Sequence, residues 1–536
     1  MKKILGHILT GSLTEGFEMR IHADAHLEKI KTGKFVSIIG NEHTFFSMIT
    51  DLSLHVTNND ILLFPPTKQE KLLNRILRKK DIYAKAQLKP MLMVTKNNEI
   101  KPVKTIPSHF CTVHEASNQD VALIFGDEHE ATKRYFNIGS PLDMNTPVCL
   151  DLERLTERSN GIFGKTGTGK TFLTRLVLAG LIKQDKAVNI IFDMHSEYGL
   201  QARKEGNDKS FVKGLKTLFP DKVAIFSLDP QSTRRRGGSP DVEITLNYQS
   251  IHVEDILCLQ DELNLHATAV EAAYLIATRY KKDWLAVLLN QGENLKDFAQ
   301  ELGAHPESIA ALYRKLKRIE RLPFFKPGGP GAYKDRSVID QMMEYIDRGI
   351  SIIVEFGNFT STFCYLLIAN IITRRLHTEY VTKTENFLGS HKKEDEPKKI
   401  MITIEEAHKF LNPQAARQTI FGIIAREMRK YYVSLLVVDQ RPSGIDQEII
   451  SQIGTKIIAQ LNDEKDIGAV LTGISNASNL RSVLASLDSK KQALILGHAV
   501  AMPVVVQTRE YDEQFYRAMA PEVSTTDIDS FIKEIF

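Results

Sequence analysis

Short runs of β-branched and aromatic residues, separated by turn-forming residues, dominate the first part of the chain up to about residue 140. The runs that predict strands are KKILGHIL, EMRIHA, KFVSIIG, MLMVT and VALIFG. One segment, KQEKLLNRILRKK, instead has apolar residues at positions 72, 73, 76 and 77, a spacing that predicts a helix. We therefore predict a small β-barrel-like domain over residues 1–140 that carries one helix.

From about residue 150 the pattern changes to alternating buried strands and helices. The predicted strands are GIFG, AVNIIFD, KVAIFSLD, GISIIVEFG, KKIMITIEE and YVSLLVVDQ. Continuous apolar runs are typical of strands that are covered on both faces, as in a parallel, doubly wound sheet. The predicted fold class is therefore α/β, with the core sheet formed by residues 141–250 and 346–500.

The two halves of this core are separated by residues 251–345, which are mostly helical and end in the breaker cluster KPGGPGAY. This pattern predicts a helical subdomain inserted between strands of the sheet. Near the end, ALILGHAV and PVVVQTRE predict a final hairpin, so that residues 501–536 form a C-terminal strand and tail.

Composition narrows the class of protein without identifying it. At 536 residues, with 43% hydrophobic and 25% charged residues, the chain has the values of a globular protein with more than one core. A net charge of +3 does not establish a nucleic-acid partner. Four scattered cysteines argue against a disulfide framework or a zinc site. No apolar run is long enough to cross a bilayer, and we expect a cytoplasmic protein.

The segment GKTGTGKT follows the strand GIFG and leads directly into an apolar helix. Its G-x-x-x-x-G-K-T spacing is that of a loop whose backbone N–H groups surround nucleotide phosphates. Lys170 is expected to reach the β- and γ-phosphates, and the Thr171 hydroxyl to bind Mg²⁺. The predicted nucleotide-binding residues are Gly164, Lys165, Thr166, Gly167, Thr168, Gly169, Lys170, Thr171 and Phe172.

Hydrolysis of a nucleotide also requires acidic groups at the end of a neighbouring strand. Glu405 and Glu406 follow the apolar strand KKIMITI, where the first would hold the Mg²⁺ water shell and the second would activate the attacking water. Asp193 and Glu197 end another strand and are alternative members of the metal or water network. Capping of a helix by Asp193, with Glu197 at the surface, is the competing interpretation.

Gln440 follows the strand YVSLLVVD and is a candidate sensor of the γ-phosphate or of the attacking water. Arg426 and Arg429 share one face of a predicted helix, and Arg158 precedes the phosphate-loop strand. Each arginine is a candidate to neutralise the transition state. Surface arginines without a catalytic role are the alternative.

These motifs, together with RSNGIFGKTGTGKT, IIFDMHSEY, IEEAHKFL and IIAREMRKYYVSLLVVDQRPSGIDQEIISQIGTKIIAQL, resemble those of the HerA family of hexameric DNA translocases, within the HerA/FtsK branch of P-loop ATPases. The resemblance implies a RecA-like ATPase core, ATP and Mg²⁺ as cofactors, and a homohexamer with double-stranded DNA in its pore. It assigns Glu406 as the catalytic glutamate and Gln440 as the sensor, with Arg158 and either Arg426 or Arg429 acting across the subunit interface. Glu405 stands where the family usually has Asp.

The resemblance also implies a partner. Family members act with a NurA-type nuclease or, in anti-phage systems, beside nucleases or sirtuin-like NAD-consuming effectors, and the N-terminal barrel is the usual docking surface. The predicted function is thus an ATP-driven DNA translocase or helicase with such a partner. The alternative is a hexameric scaffold in which nucleotide binding switches a partner effector enzyme on or off. Faster ATP hydrolysis in the presence of duplex DNA would favour the motor over the scaffold.

Overall fold

A computed structural model describes residues 4–520 with gaps. The gaps are residues 59, 64–76, 78–80, 143, 204–210, 328–336, 418, 428–429, 475–476 and 489–490. The helix predicted over residues 68–80 therefore lies almost entirely outside the described residues, as do Arg429 and most of the segment KPGGPGAY.

The described strands are, in chain order, β1 (Ile4–Ser12), β2 (Gly16–Ile21), β3 (Phe35–Ile39), β4 (His43–Val56), β5 (Ile82–Thr95), β6 (Ile100–Pro102), β7 (Thr112–Glu115), β8 (Tyr135–Pro141), β9 (Val148–Asp151), β10 (Asn160–Phe163), β11 (Val188–Asp193), β12 (Gln201–Arg203), β13 (Phe211–Lys213), β14 (Val223–Ser227), β15 (Val242–Glu243), β16 (Leu246–Asn247), β17 (Phe325–Lys326), β18 (Ser351–Glu355), β19 (Ile400–Glu405), β20 (Val433–Asp439), β21 (Thr455–Ile458), β22 (Gln492–Gly497) and β23 (Val504–Thr508).

The described helices are α1 (Asp60–Leu63), α2 (Asn118–Phe125), α3 (Leu152–Thr156), α4 (Lys170–Lys183), α5 (Leu215–Leu218), α6 (Pro230–Arg235), α7 (Val253–Leu257), α8 (Gln260–Leu263), α9 (Ala267–Tyr280), α10 (Trp284–Asn290), α11 (Leu295–Leu302), α12 (Pro306–Leu316), α13 (Val338–Asp347), α14 (Thr362–Ser390), α15 (His408–Leu411), α16 (Ile420–Glu427), α17 (Gln447–Gln452), α18 (Glu464–Val470), α19 (Ala477–Ser486) and α20 (Glu513–Met519). Within the described part of the chain, none of the helices combines the length and the apolar character that a bilayer crossing requires.

The chain forms two compact units, and the first comprises residues 1–151 and 493–509. Its main sheet has the order β2-β1-β7-β3-β4-β5-β6, and a further pairing of β2 with β5 closes it into a barrel. The paired strands are antiparallel. Alternate residues face inward and fill the barrel, among them Met19, Val36, Ile38, Ile49 and Leu88. The predicted N-terminal barrel is confirmed.

One predicted strand of this unit is wrong. VALIFG lies in helix α2, which begins after Ser117. Ser117 and Asp120 form a capping box, in which each side chain accepts a hydrogen bond from the other residue's backbone N–H. Val121, Ile124 and Phe125 are buried, a spacing that fits one face of a helix. The β-branched composition favoured a strand, but the cap and the burial of one helical face determine the structure.

The second unit comprises residues 152–492 and 510–536 and contains the parallel sheet. The strand order is β15-β14-β18-β11-β19-β20-β10-β21, and the neighbouring strands run parallel. Strands β11, β14, β18 and β20 are buried along their whole length, as their continuous apolar runs predict. The α/β class and the six core strands predicted from these runs are confirmed.

Helices α7 to α13 occupy the stretch between β16 and β18, with the short strand β17 among them. Strand β16 pairs with β17 in parallel, so the start of this stretch lies beside the segment that follows α12. The indole of Trp284, which is 2% exposed, donates a hydrogen bond of 2.8 Å to the Ile251 carbonyl. This buried tryptophan anchors α10 to the start of the helical stretch.

Candidate active site

Three neighbouring strands of the parallel sheet end at the same edge. The order β19-β20-β10 places β20 between the other two. Because parallel strands share a carboxyl edge, the segments that follow Phe163, Glu405 and Asp439 leave the sheet side by side. Ligands of open α/β sheets bind at this edge. It holds the predicted phosphate loop, the two glutamates and Gln440.

The phosphate loop connects β10 to α4. Gly167 and Gly169 have φ angles of +78° and +88°, values that glycine adopts without strain, and a Cβ at either position would meet nothing within 4 Å. The Thr168 hydroxyl and Lys170 Nζ both donate to the Lys165 carbonyl, at 2.7 and 2.9 Å. The loop is therefore folded back on itself, with the Lys170 ammonium group held against it.

The start of the loop is attached to the neighbouring strands. Gly164 N donates to the Asp439 carbonyl at 3.3 Å, and Lys165 N donates to the Gln460 carbonyl at 3.1 Å. A Cβ at Gly164 would lie 2.8 Å from the Ala459 Cβ. Only glycine fits at this first position, because the loop passes so close to the segment that follows β21.

A chain of hydrogen bonds joins the loop to the second glutamate. Thr166 Oγ1 donates to Gln440 Oε1 at 2.5 Å, and Gln440 Nε2 donates to Glu406 Oε1 at 2.9 Å. Glu406 has a φ of +49°, a left-handed conformation that costs a non-glycine residue about 1 kcal/mol or more. Strain of this kind is common at functional sites and requires surrounding contacts that hold it. The structure thus brings together three residues that the sequence predicts for the site.

Glu405 faces a different set of partners. Tyr198 Oη donates to Glu405 Oε1 at 2.8 Å, and the backbone of Glu405 exchanges hydrogen bonds of 3.0 and 3.1 Å with Tyr365 Oη. Burial, together with the nearby negative charge of Asp193, raises the pKa of Glu405 to about 8. A bound Mg²⁺ would lower this pKa, because a nearby cation stabilises the ionised carboxylate.

Asp193 ends β11 and is fully buried. Its two carboxylate oxygens accept the backbone N–H groups of Glu197 and Tyr198, at 2.8 and 2.9 Å. Burial and the neighbouring carboxylate of Glu355 raise the pKa of Asp193 to about 7. Asp193 thus caps the turn that follows β11, where the described chain has no helix to cap, and a contribution to metal binding stays a prediction.

Phe172 belongs to an aromatic group around a buried arginine. Arg175 is 2% exposed, and its guanidinium carbon lies 5.2 to 6.0 Å from the ring centres of Phe172, Tyr198 and Tyr511. The guanidinium donates to the Glu197 carbonyl. Cation–π contacts and this hydrogen bond compensate for burial of the charge. Phe172 thus packs within the protein, and its predicted contact with a nucleotide stays a prediction.

The candidate arginines are held in different ways. Arg158 precedes β10, packs against Gly454, and has a buried Nε for which the described residues supply no hydrogen-bond partner. Arg426 lies in α16, where Nε is 3.3 Å from Glu448 Oε2 and Nη1 donates to the Ala416 carbonyl at 2.9 Å. The described contacts of Arg158 and Arg426 do not involve the phosphate loop of the same chain.

Two residues next to the predicted ones were missed by sequence reasoning. Asp439 accepts hydrogen bonds from the backbone N–H groups of His408 and Arg441, and the Asp439 carboxylate raises the pKa of His408. Tyr198 was missed as well, although it lies in the quoted motif IIFDMHSEY. A polar residue at or after the end of a strand was the available sign of a functional role. The residues that Asp439 and Tyr198 contact are distant in sequence, so the sequence did not reveal these contacts.

The donor set fits a nucleotide with Mg²⁺. The loop offers open space beside Gly167 and Gly169, an ammonium group on Lys170, and the partly exposed Thr171 hydroxyl at the start of α4. Among the described residues, no group of three or more His, Cys, Asp or Glu side chains has a metal-binding arrangement. Mg²⁺ suits such a site, since it is commonly held by few protein groups together with substrate phosphates and water.

A glycine-rich loop between a parallel strand and a helix, beside strands that end in glutamate and glutamine, defines a P-loop ATPase with a RecA-like core. The family described as HAS barrel domain matches residues 5–106, and the family described as Helicase HerA, central domain, matches residues 136–376. The chain belongs to the HerA helicase family. The predicted family and the predicted class of ATPase are confirmed.

Two of its relatives are similar along nearly their whole length. The DNA double-strand break repair helicase HerA of Sulfurisphaera tokodaii is 25% identical over 532 residues, which cover 95% of this chain and 93% of the relative. The protein of the same name from Saccharolobus solfataricus is 26% identical over 522 residues, covering 94% and 92%. Among solved structures, VirB4 of Thermoanaerobacter pseudethanolicus aligns with a TM-score of 0.45 and 15% identity, over 71% of this chain and 98% of VirB4.

Proposed function

We propose that this chain is the subunit of a homohexameric, ATP-driven motor that moves on double-stranded DNA. The observation that carries the proposal is the hydrogen-bond chain from Thr166 through Gln440 to Glu406, which links the nucleotide loop to the acidic residue beside it. The DNA substrate is inferred from the relatives, which are named DNA double-strand break repair helicases.

The loop binds the triphosphate. Backbone N–H groups around Gly167 and Gly169 point to the phosphates, Lys170 exchanges its contact with the Lys165 carbonyl for the β- and γ-phosphates, and the Thr171 hydroxyl binds the metal. Mg²⁺, when bound, neutralises charge on the β- and γ-phosphate oxygens. Glu405, at the end of β19, is assigned to the water shell of the metal, and its Oε1 accepts the hydroxyl of Tyr198.

Glu406 is the residue that orients the attacking water and accepts its proton. The carboxamide of Gln440 holds one Glu406 oxygen, which leaves the other available to the water. Because the same carboxamide accepts a hydrogen bond from Thr166, a change of the loop on γ-phosphate binding or release alters the position of Glu406. Hydrolysis and the state of the loop are coupled through this one side chain.

The arginine that completes the site comes from the neighbouring subunit. Arg158 precedes β10, whereas the phosphate loop follows it, so the four residues of that strand, roughly 13 Å of extended chain, lie between Arg158 and Gly164. Arg158 is thus at the wrong end of the strand to reach the nucleotide of its own chain. Its buried Nε without a described partner makes it our first candidate, and Arg426 and Arg429 stay alternatives.

The pore binds DNA through its phosphates, and the N-terminal barrel docks a partner enzyme. Phosphate contacts give affinity that does not depend on sequence and falls steeply with salt. The partner we propose is a NurA-type nuclease or a nuclease or sirtuin-like effector of anti-phage defence. The barrel matches the HAS barrel family, and this match is the support for its docking role.

Steady-state ATP hydrolysis with and without duplex DNA tests the proposal. Addition of a long duplex at low salt should raise the rate severalfold, and the increase should disappear at high salt because phosphate contacts are screened. A native mass measurement should give six subunits. Hydrolysis that is indifferent to DNA but responds to a partner effector would contradict the motor and support a nucleotide-switched scaffold. Glu406→Gln serves as the inactive control.

A further inference from the structure

Three segments of the active site meet at one residue that has no assigned role. Asp439 is the last residue of β20 and is 1% exposed. Its backbone carbonyl accepts a hydrogen bond from Gly164 N, at the start of the phosphate loop. Its carboxylate accepts His408 N at 2.6 Å through Oδ2 and Arg441 N at 2.6 Å through Oδ1. The phosphate loop, the segment after Glu406 and the segment after Gln440 are all fastened to Asp439.

The imidazole of His408 adds a second connection. His408 Nδ1 lies 3.0 Å from Asp439 Oδ2 and 3.2 Å from Oδ1. Since an ionised carboxylate only accepts hydrogen bonds, Nδ1 must carry the proton and donate it. The same nitrogen, His408 Nδ1, is 3.7 Å from Glu406 Oε2. The ring thus lies beside both the buried aspartate and the glutamate that is proposed to activate water.

This placement explains what holds Glu406 in its unfavourable backbone conformation. Glu406 has a φ of +49°, and its carbonyl accepts Lys409 N at 2.9 Å. The turn that follows is fixed two residues later, where both the backbone and the ring of His408 bind Asp439. A strained backbone conformation persists only where surrounding contacts hold it in place, and the contacts between His408 and Asp439 hold the turn that contains Glu406.

We propose that Asp439 and His408 are a positioning pair that aligns Glu406 with Gln440 for water activation. Neither residue needs to touch the nucleotide. Asp439 joins the strand that carries Gln440 to the turn that carries Glu406, and His408 is the donor that locks the turn. This inference rests on the proposed catalytic role of Glu406. Loss of the pair lets Glu406 relax away from Gln440, which lowers the rate of hydrolysis while the phosphate loop still binds ATP.

The experiment uses the full chain and compares His408→Ala, His408→Gln and Asp439→Asn with wild type. The measurements are kcat and KM for ATP, the Kd of ATPγS and the thermal midpoint. His408→Ala should lower kcat by about tenfold or more, with KM and Kd within about twofold. His408→Gln should recover a large part of kcat, because its amide N–H can donate to Asp439. Exposed His26→Ala, in the barrel unit, is the matched control.

Asp439→Asn tests the other member of the pair. The two carboxylate oxygens each accept a backbone N–H, and an amide has only one oxygen, so this isosteric change should lower kcat as His408→Ala does. The double variant Asp439→Asn/His408→Ala should be no slower than the slower single variant, since residues that act as a unit are not additive.

The inference is overturned if His408→Ala hydrolyses ATP at the wild-type kcat, if His408→Gln recovers nothing, or if the loss is mainly in ATPγS affinity or accompanies a thermal midpoint lowered by more than about 5 °C. Glu406→Gln separates this result from the proposed function. If Glu406→Gln retains hydrolysis, the assignment of Glu406 fails. If Glu406→Gln is inactive while His408→Ala is normal, only the positioning pair fails.

Discussion

Gln440 and Glu406 lie 34 positions apart in the sequence, yet their side chains are joined by a hydrogen bond of 2.9 Å from the amide nitrogen to the carboxylate. The same carboxamide is bound by Thr166 at 2.5 Å. Both polar atoms of the Gln440 carboxamide are therefore hydrogen-bonded, the oxygen to the phosphate loop and the nitrogen to Glu406. Strand β20 makes this possible because it lies between the strands that carry the other two residues.

Gln440→Ala should remove the connection between the phosphate loop and Glu406. We expect kcat for ATP to fall by about 10- to 100-fold, because Glu406 loses the donor that orients it, whereas KM changes by no more than about threefold. Steady-state kinetics at saturating Mg²⁺ measures both quantities. An alanine at the neighbouring exposed Arg441 is the matched control. A variant whose only defect is in KM would show that Gln440 contributes to binding and not to hydrolysis.

Lys170→Ala should abolish turnover through loss of the charge that contacts the β- and γ-phosphates. The expected decrease in kcat/KM is at least about 100-fold, and circular dichroism should show an unchanged fold. Exposed Lys465→Ala, which lies outside the loop, is the control and should hydrolyse ATP as the wild type does. Wild-type hydrolysis by Lys170→Ala would refute the placement of the nucleotide.

Subunit mixing tests whether Arg158 acts across an interface. Arg158→Ala and Lys170→Ala should each be inactive alone. In a mixed ring, the phosphate loop of an Arg158→Ala subunit can meet the intact arginine of a Lys170→Ala neighbour, so part of the activity should return. Hydrolysis measured against the mixing ratio checks this. Mixtures that stay inactive at every ratio would place Arg158 in its own subunit or outside the site.

The same mixing experiment with Arg426→Ala distinguishes the other described arginine. Arg426 is paired with Glu448 and bonded to the Ala416 carbonyl within its own chain. We expect Arg426→Ala to retain a larger share of the wild-type activity than Arg158→Ala. The opposite order would assign the cross-subunit role to Arg426.

Because of Lys456, the free energy of unfolding of the second unit should increase with pH in the alkaline range. The Lys456 side chain is 2% exposed, Nζ donates to the Val470 carbonyl at 2.9 Å, and burial lowers its pKa from 10.5 to about 8. Between pH 8 and 10.5 the unfolded chain binds more protons at this position than the folded chain, so this group makes stability rise with pH across that window.

The change that tests this is Lys456→Met. In the wild type, Lys456 should contribute a rise of about 3 kcal/mol in the free energy of unfolding between pH 8 and pH 10.5, and Lys456→Met should lack this rise. Urea unfolding at the two pH values measures the difference. Exposed Lys465→Met is the control and should leave the profile of the wild type. Identical profiles for wild type and Lys456→Met would mean that the Lys456 ammonium group is solvated in the folded protein.

The sequence predicted the core strands and the phosphate loop well because both depend on local patterns. Continuous apolar runs locate buried parallel strands, and the G-x-x-x-x-G-K-T spacing requires a strand before it and a helix after it. The helix at Asn118–Phe125 was predicted as a strand because its β-branched residues outweighed the Ser117–Asp120 cap. That cap is also local, and reading it would have corrected the prediction.

The contacts inside the site could not be predicted in the same way. Tyr198 and Glu405 are 207 positions apart, and His408 and Asp439 are 31 apart. Their pairing depends on the order β11-β19-β20, which the apolar runs do not determine. The raised pKa of Glu405 likewise results from neighbours that only the folded sheet supplies.

The pairing of β2 with β5 has a consequence for recognition. A closed ring of strands leaves its backbone amides and carbonyls satisfied, so another polypeptide cannot join it by adding a strand. Among the described strands of this sheet, a strand could still be added at the outer side of the three-residue β6 and along residues 50–56 of β4, which pair with β5 but not with β3. A protein that binds the closed part of this ring must therefore contact side chains and connecting loops, and a change in those residues need not alter the pairing of the strands.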